Sequence, residues 1–147
     1  MACDRPDVDG LLASTDRALT IALEFGDSDL EVHAMADSGL ALVSQGRVSE
    51  GFARLDAALA AISAGEVGPV AAGISFCSML TACDRVGDVR RAEEWTGIIS
   101  SVLGGTGNRP RALHTHCRVA YGSVLSAAGQ WSQAEDAAGY TDIGRAS

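Results

Sequence analysis

The stretch GRVSEGFARLDAALA, from Gly46 to Ala60, sets two glycines inside an amphipathic helical pattern. Gly51 follows Gly46 after five positions, and Leu55 and Ala58 follow at steps of four and three. A glycine in a helix interior costs about 1 kcal/mol relative to alanine, and close packing of a second helix is a physical reason to keep it. The stretch therefore predicts a junction between two tightly packed helices.

The same register, with steps of 3, 4, 5, 4 and 3, occurs three times along the chain. Its copies are Gly39, Leu42, Gly46, Gly51, Leu55 and Ala58; Leu80, Cys83, Gly87, Ala92, Thr96 and Ile99; and Gly122, Leu125, Gly129, Ala134, Ala138 and Thr141. The central glycine of each copy is predicted to end a first helix with positive φ. The small residue after it is predicted to let the second helix approach closely. Val48, Val89 and Trp131 occupy one equivalent position and are predicted to be core residues.

These hairpins predict seven helices, near 10–25, 29–44, 48–64, 70–86, 89–103, 110–128 and 131–139. Ser28 and Glu31 have the spacing of a capping box at the start of the second helix. The predicted fold class is all-α, an α-solenoid of antiparallel helical hairpins similar to tetratricopeptide repeats. The predicted organisation is a flexible N-terminus over 1–9, one repeat domain over 10–138 and a polar tail over 139–147.

The segment AAISAGEVGPVAAGISFCSMLTACDRVGDVRRAEEWT, from Ala60 to Thr96, resembles the helical-repeat region of actinobacterial LuxR-type transcriptional regulators. The resemblance extends over about residues 10–138. It implies a repeat domain in a transcription-regulating protein. The chain departs from that family because it has neither the GxxxxGK[ST] phosphate loop of the family's ATPase domain nor a basic helix-turn-helix.

Composition restricts the classes of partner. The 147 residues are 47% hydrophobic and 20% charged, which is typical of a folded chain. The net charge is -8, and all of the basic residues are arginine. Phosphate backbones require clustered basic residues, so a direct nucleic-acid partner is not expected. We expect a cytoplasmic protein without a membrane span, because no secretory leader or long apolar run is present.

The four cysteines are spread widely and are expected to be thiols, with Cys83 buried at a position equivalent to Leu42 and Leu125. Cys77 and Cys83 lie on different sides of one predicted helix and are not expected to pair with each other. His114 and Cys117 share a helix face and form the best metal candidate, but no second ligand pair stands nearby. A structural or surface role is therefore favoured for them, and no cofactor is expected.

No catalytic arrangement of residues is recognisable, so the favoured function is a non-enzymatic interaction or regulatory scaffold that binds a protein or peptide in a groove. The alternative is a small-molecule sensor, with an apolar pocket lined by Met35, Phe76, Met79, Cys83 and Tyr121. Trp95 is either a packing residue between hairpins or an exposed aromatic anchor. Self-association through the short last hairpin is a further expectation, with a monomer as the alternative. The predicted groove residues are His33, Asp37, Ser75, Ser78, Trp95, Arg118 and Tyr121.

Overall fold

A computed structural model describes residues 7–104 and 115–138, and in these two ranges the protein is all-helical, with seven helices and no strand. The all-α prediction is thereby confirmed. Predicted and observed helix ends mostly agree within one or two residues, and residues 110–114 lie outside the described ranges. The helices are α1 (Val8–Phe25), α2 (Ser28–Ser44), α3 (Val48–Ser63), α4 (Pro69–Val86), α5 (Val89–Gly104), α6 (Thr115–Ala127) and α7 (Trp131–Ala138).

The chain divides into two compact units, of which the first ends at Ala72 and the second begins at Gly73. The division lies within α4, whereas the sequence pattern predicted one repeat domain over 10–138. In the first unit, α2 packs against both α1 and α3. In the second unit, α6 packs against both α5 and α7. Each candidate site proposed below is therefore made of residues from a single unit.

The central glycines of the three registers form the predicted helix ends. Gly46, Gly87 and Gly129 have φ angles of 84°, 70° and 76°, in the left-handed region that side-chain-bearing residues rarely adopt. Because a β-carbon is disfavoured there, glycine allows the chain to leave one helix and enter the next within a few residues. The prediction of positive φ at these positions is confirmed.

Small residues lie where neighbouring helices come closest. A β-carbon on Gly51 would lie 2.6 Å from the carbonyl oxygen of Gly39, so α2 and α3 approach to backbone contact. A β-carbon on Gly122 of α6 would lie 3.4 Å from the carbonyl oxygen of Ala134 in α7. The expected reason for Gly51 is therefore confirmed: this position has no room for a side chain.

The repeated register also identifies the core. Leu42, Cys83 and Leu125 share one register position and have exposed fractions of 2%, 0% and 0%. The prediction that Val48 and Trp131 are core residues is wrong, because their side chains are 37% and 71% exposed. Trp131 is the first residue of α7, and helical side chains tilt toward the N-terminus. At this position the tilt carries the side chain to the edge of the contact with α6, where most of it stays exposed to solvent.

Aspartates cap the first two helices. The Asp7 carboxylate accepts a hydrogen bond from the Gly10 N–H at 2.9 Å, and Asp27 accepts one from the Leu30 N–H at 3.0 Å. The predicted capping box is wrong, because Asp27 and not Ser28 is the cap, which leaves Glu31 one position beyond the place that a capping box requires. An aspartate there also places negative charge at the positive end of the helix dipole.

Candidate partner-binding groove

The predicted groove residues are distributed over both compact units. His33 and Asp37 lie in α2, in the first unit. The other five are Ser75, Ser78, Trp95, Arg118 and Tyr121, which belong to the second unit.

His33 and Asp37 form a solvent-accessible pair on one face of α2. The Nε2 atom of His33 lies 3.7 Å from an Asp37 carboxylate oxygen, and the two side chains are 39% and 35% exposed. Residues four apart on a helix are neighbours, so this contact follows from their spacing. Both remain available as contacts for a partner.

Ser75 and Trp95 are buried, so their prediction as surface contacts is wrong. Their exposed fractions are 0% and 3%. Trp95 shares a helix face with Ala92 and Ile99, at steps of three and four, and both of these are fully buried. The Arg91 guanidinium lies 5.5 Å from the centre of the Trp95 ring. This spacing, visible in the sequence, favours the packing interpretation of Trp95 over the anchor interpretation.

Arg118 and Tyr121 connect α6 to its neighbours. The Nε atom of Arg118 donates to the carbonyl oxygen of Ala137 at 3.2 Å, near the end of α7. A cation at a helix C-terminus stabilises the exposed carbonyls and the helix dipole. The half-buried Tyr121 hydroxyl shares a hydrogen bond with Thr96 of α5. Both side chains therefore serve packing within the second unit.

Burial raises the pKa of Tyr121 above its ordinary value, and the nearby Glu93 carboxylate raises it further. The hydrogen bond with Thr96 acts in the opposite direction and is the smallest of the three effects. All three effects come from α5 and the interior of the unit. The tyrosine is thus held neutral, which suits a packing residue.

A groove that the sequence did not predict lies between α6 and α7. It has a volume of about 420 Å³, within the range of binding sites for ligand groups. Val119 and Trp131, 60% and 71% exposed, contribute its large apolar side chains. The residues that line it are Val119, Gly122, Ser126, Trp131, Ala134 and Glu135.

The groove arises from the same small residues that allow the helices to approach. Gly122 and Ala134 carry little or no side chain, so larger neighbours stand above them on both helices. Val119, Gly122 and Ser126 share one face of α6 because they are three and four residues apart. Trp131 and Glu135 are likewise four apart on α7. These steps of three and four residues are visible in the sequence. The groove was not predicted from them because Trp131 was assigned to the core.

Charge at the groove comes from Glu135, an exposed residue of α7 that lines it. A carboxylate beside an apolar surface favours a partner that presents a basic group next to an apolar side chain. The groove thus offers an aromatic ring, an aliphatic side chain and one negative charge within a single surface.

Metal binding has no support among the described side chains, which contain no group of three His, Cys, Asp or Glu that could hold an ion. The candidate pair His114 and Cys117 lies outside the described side chains. Cys77 is disulfide-bonded, which corrects the expectation that it is a thiol, whereas Cys83 is a buried thiol. Within 7–104 and 115–138, no helix has the length and apolar character needed to cross a bilayer.

No protein-family model, curated protein or solved structure matches this chain. Proposals about its function therefore rest on the groove, the charges around it and the exposed helix faces.

Proposed function

We propose that the chain is a non-enzymatic protein-interaction module, and that the α6–α7 groove binds an apolar side chain of a peptide or helix. The observation that carries this proposal is the exposure of Trp131 beside Val119, above a floor of Gly122 and Ala134. Tryptophan is enriched among residues that dominate binding energy at protein interfaces. An exposed tryptophan over a cleft formed by small residues is suited to anchor such a contact.

The open shape of the groove favours a macromolecular partner over a small molecule. Small-molecule sites usually enclose most of the ligand surface. Here the largest lining side chain is 71% exposed, so a ligand in the groove would remain largely in contact with water. The sensor alternative relied on Phe76, Met79 and Cys83, which are fully buried in the core. It is the weaker proposal for this reason.

The partner proposed for the groove carries a basic residue near its apolar anchor. The chain has a net charge of -8, and Glu135 places one of the negative charges at the groove. Opposite charge raises association rates and suppresses wrong partners more than it raises affinity. A nucleic-acid backbone is disfavoured by the same charge.

A tetratricopeptide-like stack of antiparallel hairpins remains our proposal for the architecture. In the first unit, Gln45 at the end of α2 donates to Asp9 at the start of α1, at 3.0 Å. This contact supports an antiparallel pair. A role in transcription regulation rests on the resemblance to LuxR-type regulators alone. A cytoplasmic location is weakened by the disulfide at Cys77, because disulfides are rare in reducing compartments.

The proposal is tested by selecting binders from a displayed library of random peptides on the full-length chain. Selected peptides should share an apolar residue next to Arg or Lys. Trp131→Ala should weaken their binding at least about 10-fold, as expected for a central aromatic anchor. Glu135→Gln should weaken it less and should lower its salt dependence.

Leu23→Ala is the matched control, because Leu23 is 62% exposed but lies on α1 in the other unit. Peptides that bind the wild type and Trp131→Ala equally well would show that the groove is not the binding site. Failure to select any peptide, with the chain shown to be folded, would also count against the proposal.

A further inference from the structure

The outer face of α1 carries an apolar stripe at coiled-coil spacing. Leu11, Ala18 and Phe25 are seven residues apart, and Ser14 and Ile21 fall between them at steps of three and four. We call these five residues the α1 stripe. Leu11, Ile21 and Phe25 are 44%, 47% and 76% exposed. A seven-residue apolar repeat is the pattern by which one helix packs along another.

The stripe lies beside the faces of α1 that serve the first unit. Thr15 and Ala22 are the buried residues of this helix. Asp16 accepts a hydrogen bond from Arg54 of α3 at 3.2 Å, so that side of α1 faces a neighbour as well. At 100° per residue, the centre of the stripe lies on the far side of the helix from Asp16 and about 70° from Thr15 and Ala22. The stripe thus borders the buried face of α1, and its Ile21 and Phe25 edge turns away from that face.

Two residues of opposite charge lie beside the stripe. Arg17 and Glu24 are exposed, are seven residues apart and flank the stripe on the same side. In the described part of the chain neither side chain makes a hydrogen bond or an ion pair. When two copies of such a helix pack antiparallel about a two-fold axis, residues at this flanking position face each other across the seam. Arg17 of one copy then meets Glu24 of the other, twice.

We propose that the α1 stripe is a self-association surface, occupied by α1 of a second copy in antiparallel orientation. In a parallel pair the flanks that carry Arg17 and Glu24 lie on opposite sides of the seam, so the two opposite charges do not meet. The charge pattern selects a second copy because both halves of each ion pair are present on this one helix. This surface shares no residue with the α6–α7 groove.

With Arg17 of one copy opposite Glu24 of the other, the paired seam runs from about Ser14 to Phe25, about 16 Å at 1.5 Å per residue, and Leu11 lies beyond it. A contact of that length is smaller than standard stable interfaces, so the dimer is weak and forms reversibly. The two ion pairs set its orientation and register more than its strength.

The test is sedimentation equilibrium of the full-length chain over a range of concentrations. The wild type should show a monomer–dimer equilibrium, and Ile21→Glu should raise the dissociation constant at least about 10-fold by placing an unpaired charge in the seam. Leu23→Ser is the matched control. Leu23 is 62% exposed on the same helix but lies on the side away from the stripe, so the dissociation constant should not change.

Charge reversal tests orientation without altering the apolar residues. Arg17→Glu and Glu24→Arg should each weaken the dimer several-fold, and the double variant should restore it because both cross-pairs are re-formed with the charges exchanged. A chain that stays monomeric up to about 1 mM overturns the proposal. A dimer that is insensitive to Ile21→Glu, or one that responds to Trp131→Ala instead, overturns it as well by placing the contact elsewhere.

Discussion

The backbones of α2 and α3 touch where Gly39 faces Gly51. A β-carbon on Gly51 would lie 2.6 Å from the Gly39 carbonyl oxygen, and one on Gly39 would lie 2.9 Å from the Gly51 carbonyl oxygen. Neither carbonyl can move away, because each belongs to a helix. The pair fixes how closely α2 and α3 approach and makes both positions intolerant of any side chain.

Gly51→Ala should therefore destabilise the protein although alanine is the better helix former. Alanine gains about 1 kcal/mol of helix propensity, but forcing a group into packed space typically costs about 1–3 kcal/mol, and here the obstacle is backbone. We expect the free energy of unfolding to fall by about 1–2 kcal/mol, measured by urea denaturation followed by circular dichroism.

Gly97→Ala is the control for that substitution. Gly97 also lies within a helix, but a β-carbon there would meet nothing within 4 Å. Its replacement should stabilise the protein by about 0.5–1 kcal/mol. Equal effects at the two positions would contradict the close approach of α2 and α3.

Ser75→Ala should leave the protein as stable as the wild type or make it more stable, by up to about 1 kcal/mol. The Ser75 hydroxyl is fully buried and finds no hydrogen-bond partner in the described part of the chain. Removing an unsatisfied buried polar group removes its desolvation cost. A loss of stability greater than about 1 kcal/mol, measured by thermal unfolding, would indicate that the hydroxyl is bonded after all.

The two tryptophans should respond oppositely to substitution. Trp131→Ala should change stability by no more than about 0.5 kcal/mol, because surface substitutions usually do. Trp95→Ala should cost about 3–5 kcal/mol, because it removes a large buried side chain. Urea denaturation of the two variants measures both values.

Fluorescence quenching by acrylamide checks the same contrast without unfolding the protein. Trp95→Phe leaves only the exposed Trp131, whose fluorescence should be quenched strongly. Trp131→Phe leaves only the buried Trp95, whose fluorescence should be quenched weakly. Similar quenching of the two variants would mean that Trp131 is covered, and the groove would then not be open.

Tyr121 should titrate above the ordinary tyrosine pKa of about 10, because burial and Glu93 disfavour its ionised form. A raised folded-state pKa means that Tyr121 contributes stability below the unfolded pKa. This contribution is lost as pH rises through the folded value. Glu93→Gln should lower the pKa of Tyr121 without removing the effect of burial.

The difference in ultraviolet absorbance between the wild type and Tyr121→Phe isolates this titration from that of the other tyrosine. A difference titration at or below the ordinary pKa would show that Tyr121 is solvated and not packed against α5.

Local spacing predicted much of the fold. The glycine register located the turns at Gly46, Gly87 and Gly129 and the core positions Leu42 and Cys83, because backbone conformation and helical periodicity act over a few residues. Local spacing predicted the helix ends for the same reason. The division between Ala72 and Gly73 was not predicted, since it depends on contacts between helices and leaves no mark in a continuous helix.

The candidate site was predicted less well. Ser75 was predicted to face the groove because its helix was, and Trp95 was predicted to be either a packing residue or an exposed anchor; both side chains are buried. Trp131 was assigned to the core by analogy with Val48, which is itself 37% exposed. Each is the first residue of its helix, where a side chain lies at the edge of the helix contact. Which way a side chain points at a helix end depends on tertiary packing, which spacing alone does not specify.

The most direct test of the central claim is an NMR titration of the isotopically labelled chain with the tightest peptide from the display selection. The account predicts that the largest amide shift changes fall in α6 and α7, around Gly122 and Trp131, and that they vanish in Trp131→Ala. Shift changes centred on the buried residues of α4 and α5, or on α1, would contradict the account, because they would place the binding site outside the α6–α7 groove.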